Sequence, residues 1–99
     1  MTNILALANI LNMEQLLKAF SNITRVKILT CLSREDKNVS DLIKNCGLSQ
    51  SAVSQHLKIL KDSGLVECLS LGREKLYRVK YNQAGDIAQA ILKLINKLK

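Results

Sequence analysis

Ninety-nine residues carrying 15 Lys and Arg against 8 Asp and Glu make a short chain with a formal charge of +7. That length suits one domain, residues 1–99, with a modest core that a second subunit would enlarge. The charge favours DNA, RNA or an anionic membrane surface without choosing among them. Aromatics at 3% leave no stacking platform for single-stranded nucleic acid. Three cysteines (Cys31, Cys46, Cys68) without a CxxC pair argue against a secreted disulfide framework.

Residues 3–19 read as a helix. Ile4, Leu7, Ala8, Leu11, Leu16 and Phe20 recur at helical spacing, and Leu5, Ile10, Met13 and Leu17 widen the stripe. A helix apolar on so many sides needs cover, and in a chain this small a second subunit is the expected cover. The alternative, a membrane-surface helix, lacks enough basic residues on its polar face. The start of the chain has no basic n-region or small-residue cleavage site, and Glu14 interrupts the apolar run, so a cytoplasmic protein that does not enter a membrane is expected. Residues 21–32 read as a second helix, capped by Ser21 or Asn22, with Val26, Ile28, Leu29 and Leu32 inward. Arg25 and Lys27 are either ordinary solvated charges or phosphate contacts. Residues 34–37 (REDK) read as a charged loop.

The stretch 38–60, NVSDLIKNCGLSQSAVSQHLKIL, splits into a short helix, a glycine turn and a longer helix. Asn38 is an N-cap with Asp41 at the capping-box position. Leu42, Ile43 and Cys46 form the apolar side, and Gly47 permits the left-handed residue that ends a helix. Leu48 points inward and Ser49 caps the next helix. There Val53, Leu57 and Leu60 face a core, while Ser51, Ser54, Gln55 and Lys58 share the outer side. Gln, Ser and Lys on a wet helical face are suited to base edges and phosphates. The pattern is a helix-turn-helix signal, with a plain helical hairpin as its bland rival.

Gly64 is read as the stop of that helix. Residues 65–71 and 75–81 then read as strands joined by a turn at 72–74, a hairpin in the position of a wing. Its tip carries Arg73 and Lys75, which could follow a phosphate backbone, enter a minor groove, or simply form a charged turn. Residues 82–98 read as the last helix, with Ile87, Ile91, Leu94, Ile95 and Leu98 in one stripe and Lys93, Lys97 and Lys99 complementing the C-terminal dipole. The expected fold is mainly α with a β-hairpin wing, in the order α-α-α-α-β-β-α. The dimerising residues are expected to be Ile4, Leu7 and Leu11 from the first helix and Ile87, Ile91, Leu94, Ile95 and Leu98 from the last. Pairing them across a two-fold axis would set two recognition helices about 34 Å apart, one turn of DNA.

This order of elements resembles the ArsR/SmtB family of winged-helix repressors. The residues carrying the resemblance are KAFSN at 18–22, RVKIL at 25–29, VSDL at 39–42, LSQSAVSQHL at 48–57 and DSGLV at 62–66, with Gly72, Arg73 and Tyr77 in the wing. It covers nearly the whole chain. It implies a homodimer bound to an imperfect palindrome of double-stranded DNA, repressing until a signal arrives. The family's metal sites do not carry over. The thiolate pattern CVCDL falls on Asn38, Val39, Ser40, Asp41 and Leu42, so both cysteines are missing. The last-helix Asp/His site meets Asp86 with no histidine nearby. The one histidine, His56, lies in the recognition helix as a packing or DNA-facing residue. No metal and no cofactor are expected. Some members sense persulfides or oxidants through a cysteine in the second helix and another in the last. That second-helix position falls on Thr30, with Cys31 one residue on, and the last helix has no cysteine. Cys31 is therefore read as core packing, with a thiol sensor as its second reading. Cys46 is read as a small apolar residue, and Cys68 as a wing thiol whose exposure decides its chemistry.

The function expected is sequence-specific DNA-binding regulation. Ser49 and Gln50, at the start of the recognition helix, would hold phosphate. Ser51, Ser54 and Gln55 would read base edges, His56 would lie beside them, and Lys58, Lys61, Arg73 and Lys75 would supply electrostatic affinity. One rival is a winged helix that docks a protein partner and ignores DNA. A second, a small thiol enzyme, lacks any nucleophile–base–orienter spacing, so an enzyme is not expected.

Overall fold

Local chemistry sets the helix boundaries. The computed structural model describes residues 4–99, apart from the side chains of Leu5, Ala8, Asn9 and Cys46. The expected helix start at Asn3 and the packing roles of Leu5, Ala8 and Cys46 lie outside the described residues. Helix α1 spans Ile4–Phe20. It closes where Ser21 donates its hydroxyl to the Lys18 carbonyl at 2.8 Å. Of the two candidate caps for the next helix, Asn22 is the one used: its Oδ1 accepts from the amides of Thr24 and Arg25 at 2.8 and 3.2 Å. Helix α2 accordingly runs Ile23–Arg34, two residues later than expected at each end.

Helix α3 is Val39–Cys46 and helix α4 is Gln50–Asp62. Strand β1, Val66–Leu71, pairs antiparallel with strand β2, Glu74–Val79, from Val66 opposite Val79 to Leu71 opposite Glu74. That register leaves Gly72 and Arg73 as a two-residue turn. Gly72 takes φ +64 and Arg73 does not take a positive φ, the order a tight hairpin with glycine first requires. β2 stops short of the expected Tyr81 because the chain turns there. Lys80 donates its amide to the Leu65 carbonyl at 2.8 Å, and Tyr81 is already the N-cap of helix α5, Asn82–Lys97.

The charged loop does more than connect. Lys37 exchanges both backbone hydrogen bonds with Tyr77, at 3.0 and 2.8 Å, adding a one-residue third strand to the outer edge of β2. This edge pairing is a backbone event, so no side-chain pattern announces it.

Helix α2 lies at the centre. Its Val26, Ile28, Leu29 and Leu32 meet Leu42 of α3 and Val53, Leu57 and Leu60 of α4, all buried. Leu65 and Val66 of the hairpin and Ala84 and Ala88 of α5 close the core. α2 and α5 approach closely at Gly85, where a Cβ would stand 2.4 Å from the Cβ of Ser33. Ser33 also accepts a hydrogen bond from Gln89 of α5 at 3.1 Å.

Candidate nucleic-acid interface

Three local caps hold α3 and α4 in place. Asn38 Oδ1 accepts from the Asp41 amide at 2.8 Å. Gly47, at φ +65, donates its amide to the Ile43 carbonyl at 3.0 Å, ending α3 in the left-handed conformation. Ser49 Oγ accepts from the Ala52 amide at 3.2 Å and starts α4. Leu48 between them packs against the core. On α4, Val53, Leu57 and Leu60 are 0, 1 and 0% exposed. This burial fixes the rotation of the helix, so the residues opposite have to face water.

Those opposite residues are Ser51, Ser54, Gln55, Lys58 and Lys61, all exposed, with Ser49 and Gln50 exposed at the N-terminal end. The Ser49 and Ser51 hydroxyls lie 3.4 Å apart, beside the free amides of the first turn. Lys58 is within 3.4 Å of Asp62 one turn on; both are open to solvent, so this pair adds little stability and leaves the ammonium available. Arg73 and Lys75 are exposed on the wing. The wing is tied back to α3 through Asn38, whose Nδ2 donates to Glu74 at 3.1 Å while its Oδ1 caps the helix. One side chain thus orients both the helix-turn-helix and the hairpin, a double role that the sequence pattern showed only in part. Further along the hairpin, Arg78 and Glu67 pair across the strands. Tyr77 and Cys68 face one another, and burial, reinforced by the Cys68 thiol, pushes the Tyr77 phenol above its usual range.

One basic residue stands elsewhere than expected. Arg25 is neither a solvated charge nor turned out to an anion: at 7% exposure it points inward. Its Nε donates to the Ala19 carbonyl at 3.3 Å, its Nη2 to the Lys18 carbonyl at 2.7 Å and to Ser21 Oγ at 3.2 Å. Its Nη1 lies 3.2 Å from His56 Nδ1. His56 is half-buried, and at about 100° per residue it stands roughly 160° around α4 from Ser54 and Lys58. The sequence left His56 open between packing and DNA contact; its half-buried place and its partner come from the tertiary structure. Burial first, and the Arg25 charge second, hold the His56 imidazole below its ordinary pKa. Lys27 is exposed, as a solvated charge would be.

Cys31 is half-buried against the core and borders a surface cavity of about 310 Å³ with Lys27, Thr30, Arg34, Asn45 and Leu92. Among the described residues no three His, Cys, Asp or Glu side chains converge as a metal site. The expected dimerising residues Ile4, Leu7, Leu11, Ile87, Leu94 and Leu98 are exposed, and Ile91 and Ile95 are half-buried. Among the described residues no helix is long and apolar enough to cross a membrane.

A capped helix-turn-helix with a polar, basic outer face, followed by a hairpin tied to its first helix, is the DNA-binding unit of a winged-helix regulator. The comparisons with known proteins place it more narrowly. A sequence profile described as "Bacterial regulatory protein, arsR family" matches residues 22–67. The chain is 36% identical over 83 residues to the transcriptional activator HlyU of Vibrio cholerae, covering 84% of this chain and 73% of that protein. It is 40% identical over 73 residues to the HTH-type transcriptional repressor SmtB of Mycobacterium tuberculosis, covering 74% of this chain but only about half (54%) of that longer protein. The solved structure of HlyU from Vibrio cholerae superimposes with a TM-score of 0.73 at 31% identity, over 87% of this chain and 94% of the other. The chain belongs to the ArsR family, whose members are DNA-binding regulators and not enzymes.

Proposed function

We propose that the protein is a homodimeric repressor, acting in the cytoplasm, that binds an imperfect palindrome in double-stranded DNA. One observation carries this reading: the buried side of α4 turns Ser51, Ser54, Gln55, Lys58 and Lys61 together to solvent, at the end of a capped turn. The helix enters the major groove, where Gln55 presents its amide to adenine and Ser51 and Ser54 meet base edges. Ser49, Gln50 and the first-turn amides receive a phosphate. Lys58, Lys61, Arg73 and Lys75 neutralise the flanking backbone. His56 acts from behind the reading face. The two-fold partner packs on α1 and α5, which supports the dimer because Ile4 at 81%, Leu98 at 77% and Leu94 at 58% exposure are apolar side chains that water covers poorly.

The test is binding to a duplex enriched from a randomised DNA library, measured across a salt series. Affinity should fall linearly in log–log form, with a slope of about −0.9 for each phosphate neutralised. Gln55→Ala should weaken binding by about 1–3 kcal/mol and relax preference at a single base position. A partner-docking module would enrich no duplex, and any DNA association it showed would lack sequence preference. A reporter placed behind the enriched site separates repression from activation.

A further inference from the structure

We propose that Arg25 is a positioning residue for DNA reading: its guanidinium joins the end of α1 to His56 on the back of α4 and thereby sets the angle at which the reading face is presented. The proposal rests on α4 being the DNA-reading helix. Nε and Nη2 take the carbonyls of Ala19 and Lys18, at the end of α1, where a helix has unsatisfied acceptors and the negative end of its dipole. The Ser21 hydroxyl accepts a further bond from Nη2. Nη1, on the other side of the fork, reaches His56 at 3.2 Å. A planar, five-donor guanidinium can bridge two helices in this way, whereas an ammonium cannot.

Arginine has donors only, so the contact requires His56 Nδ1 to accept, with the imidazole neutral and its proton on Nε2. Protonating His56 removes the acceptor and sets two cations against each other. The charged group facing the imidazole from α2 is Arg25. From α1 come the Lys18 and Ala19 carbonyls that hold the same guanidinium, with the Lys18 side chain itself exposed. On the same side of α4, one turn before and after His56, stand Ala52, Val53, Ile59 and Leu60, none of which titrates; Lys58 lies on the opposite, exposed side. No carboxylate therefore enters among the influences on His56 that would favour its charged form.

The consequence has a sign. If Arg25 and His56 hold the helix for binding, DNA selects the neutral imidazole and affinity falls on acidification. A histidine touching phosphate does the reverse, because the anion favours its charged form.

The experiment measures affinity for the library-enriched duplex at constant ionic strength from pH 8 to 5.5, with circular dichroism at each pH to monitor the fold. Wild-type affinity should be level above about pH 6.5 and drop as the pH falls below the depressed His56 pKa, approaching about tenfold per pH unit per subunit once the free protein holds the proton. His56→Gln offers Arg25 an amide oxygen that does not titrate, so whatever its affinity at pH 7.5, that affinity should stay level on acidification. Arg25→Lys should weaken binding at pH 7.5 by about tenfold, since one ammonium cannot span both helices. Wild-type affinity that rises or stays level while the fold persists overturns the proposal, as does an acid loss that His56→Gln leaves untouched. Absence of any specific binding by wild type at pH 7.5 overturns the DNA reading itself and this inference with it.

Discussion

Replacing Gly85 with alanine sets two opposed effects against each other at the junction of α2 and α5. A Cβ there would stand 2.4 Å from Ser33 Cβ and 3.2 Å from Ser33 Oγ. Carbon atoms rest about 3.5–4.0 Å apart, so roughly 1 Å of movement is demanded. Ser33 cannot supply it by changing rotamer, because its Cβ is fixed to the α2 backbone. Its hydroxyl is also occupied, donating to the Thr30 carbonyl at 2.7 Å and accepting from Gln89 at 3.1 Å. The helices must part, at about 1–3 kcal/mol for overpacking. Against this, alanine in place of glycine favours the helix by about 1 kcal/mol. The net expectation is a loss of about 1 kcal/mol, or roughly 4–8 °C in Tm for a domain of this size. Thermal and urea unfolding at fixed protein concentration measure it, since a dimer's stability depends on concentration. Ser33→Gly removes the opposing Cβ, so in that background Gly85→Ala should stabilise, with a coupling of about 1–3 kcal/mol between the two sites. A Tm raised by Gly85→Ala alone, or the same loss in both backgrounds, would refute the packing argument. Because α5 carries the proposed two-fold contact, Gly85→Ala should also weaken binding to a palindrome more than to a half-site.

Asn38→Asp keeps the capping oxygen but turns the donor toward Glu74 into a second carboxylate; the unfolding free energy from urea titration should change by no more than about 0.5 kcal/mol, while amide exchange along β2 quickens and DNA affinity falls. Leu94→Glu adds a charge at a residue 58% exposed in the single chain, so the fold should persist while sedimentation reports a monomer. Losing the linked second half-site should then lower affinity for the palindrome by about 10²–10⁴. The depressed His56 pKa also gives stability a direction with pH. The unfolded chain takes up this proton near the ordinary 6.5 and the folded chain only below it. Folding stability should therefore be level above about pH 6.5, decline as pH falls through that value, and flatten below the folded pKa; His56→Gln should remove this part of the decline in urea titrations.

The features legible in the sequence are those decided within a few residues. Asn38, Gly47 and Ser49 mark their helix ends because a cap is satisfied three or four residues away. Val53, Leu57 and Leu60 fix the rotation of α4 through helical spacing alone, and with it the outward face of Ser51, Ser54, Gln55 and Lys58. The hairpin and the place of its turn follow from a glycine between alternating strands, although the register shortens the expected turn at 72–74 to Gly72 and Arg73. These local signals sufficed for the order of elements and for the reading face. Tertiary structure decided what depends on partners distant in the chain. Arg25 and His56 are 31 residues apart, Ser33 and Gln89 are 56 apart, and Lys37 meets Tyr77 through backbone atoms that carry no sequence signature. A charge at a helix start reads alike whether water, a phosphate or a neighbouring helix receives it. Which of these it meets is fixed only when packing brings the end of α1 and the back of α4 around Arg25, satisfying its donors at lower cost than leaving them buried and unpaired.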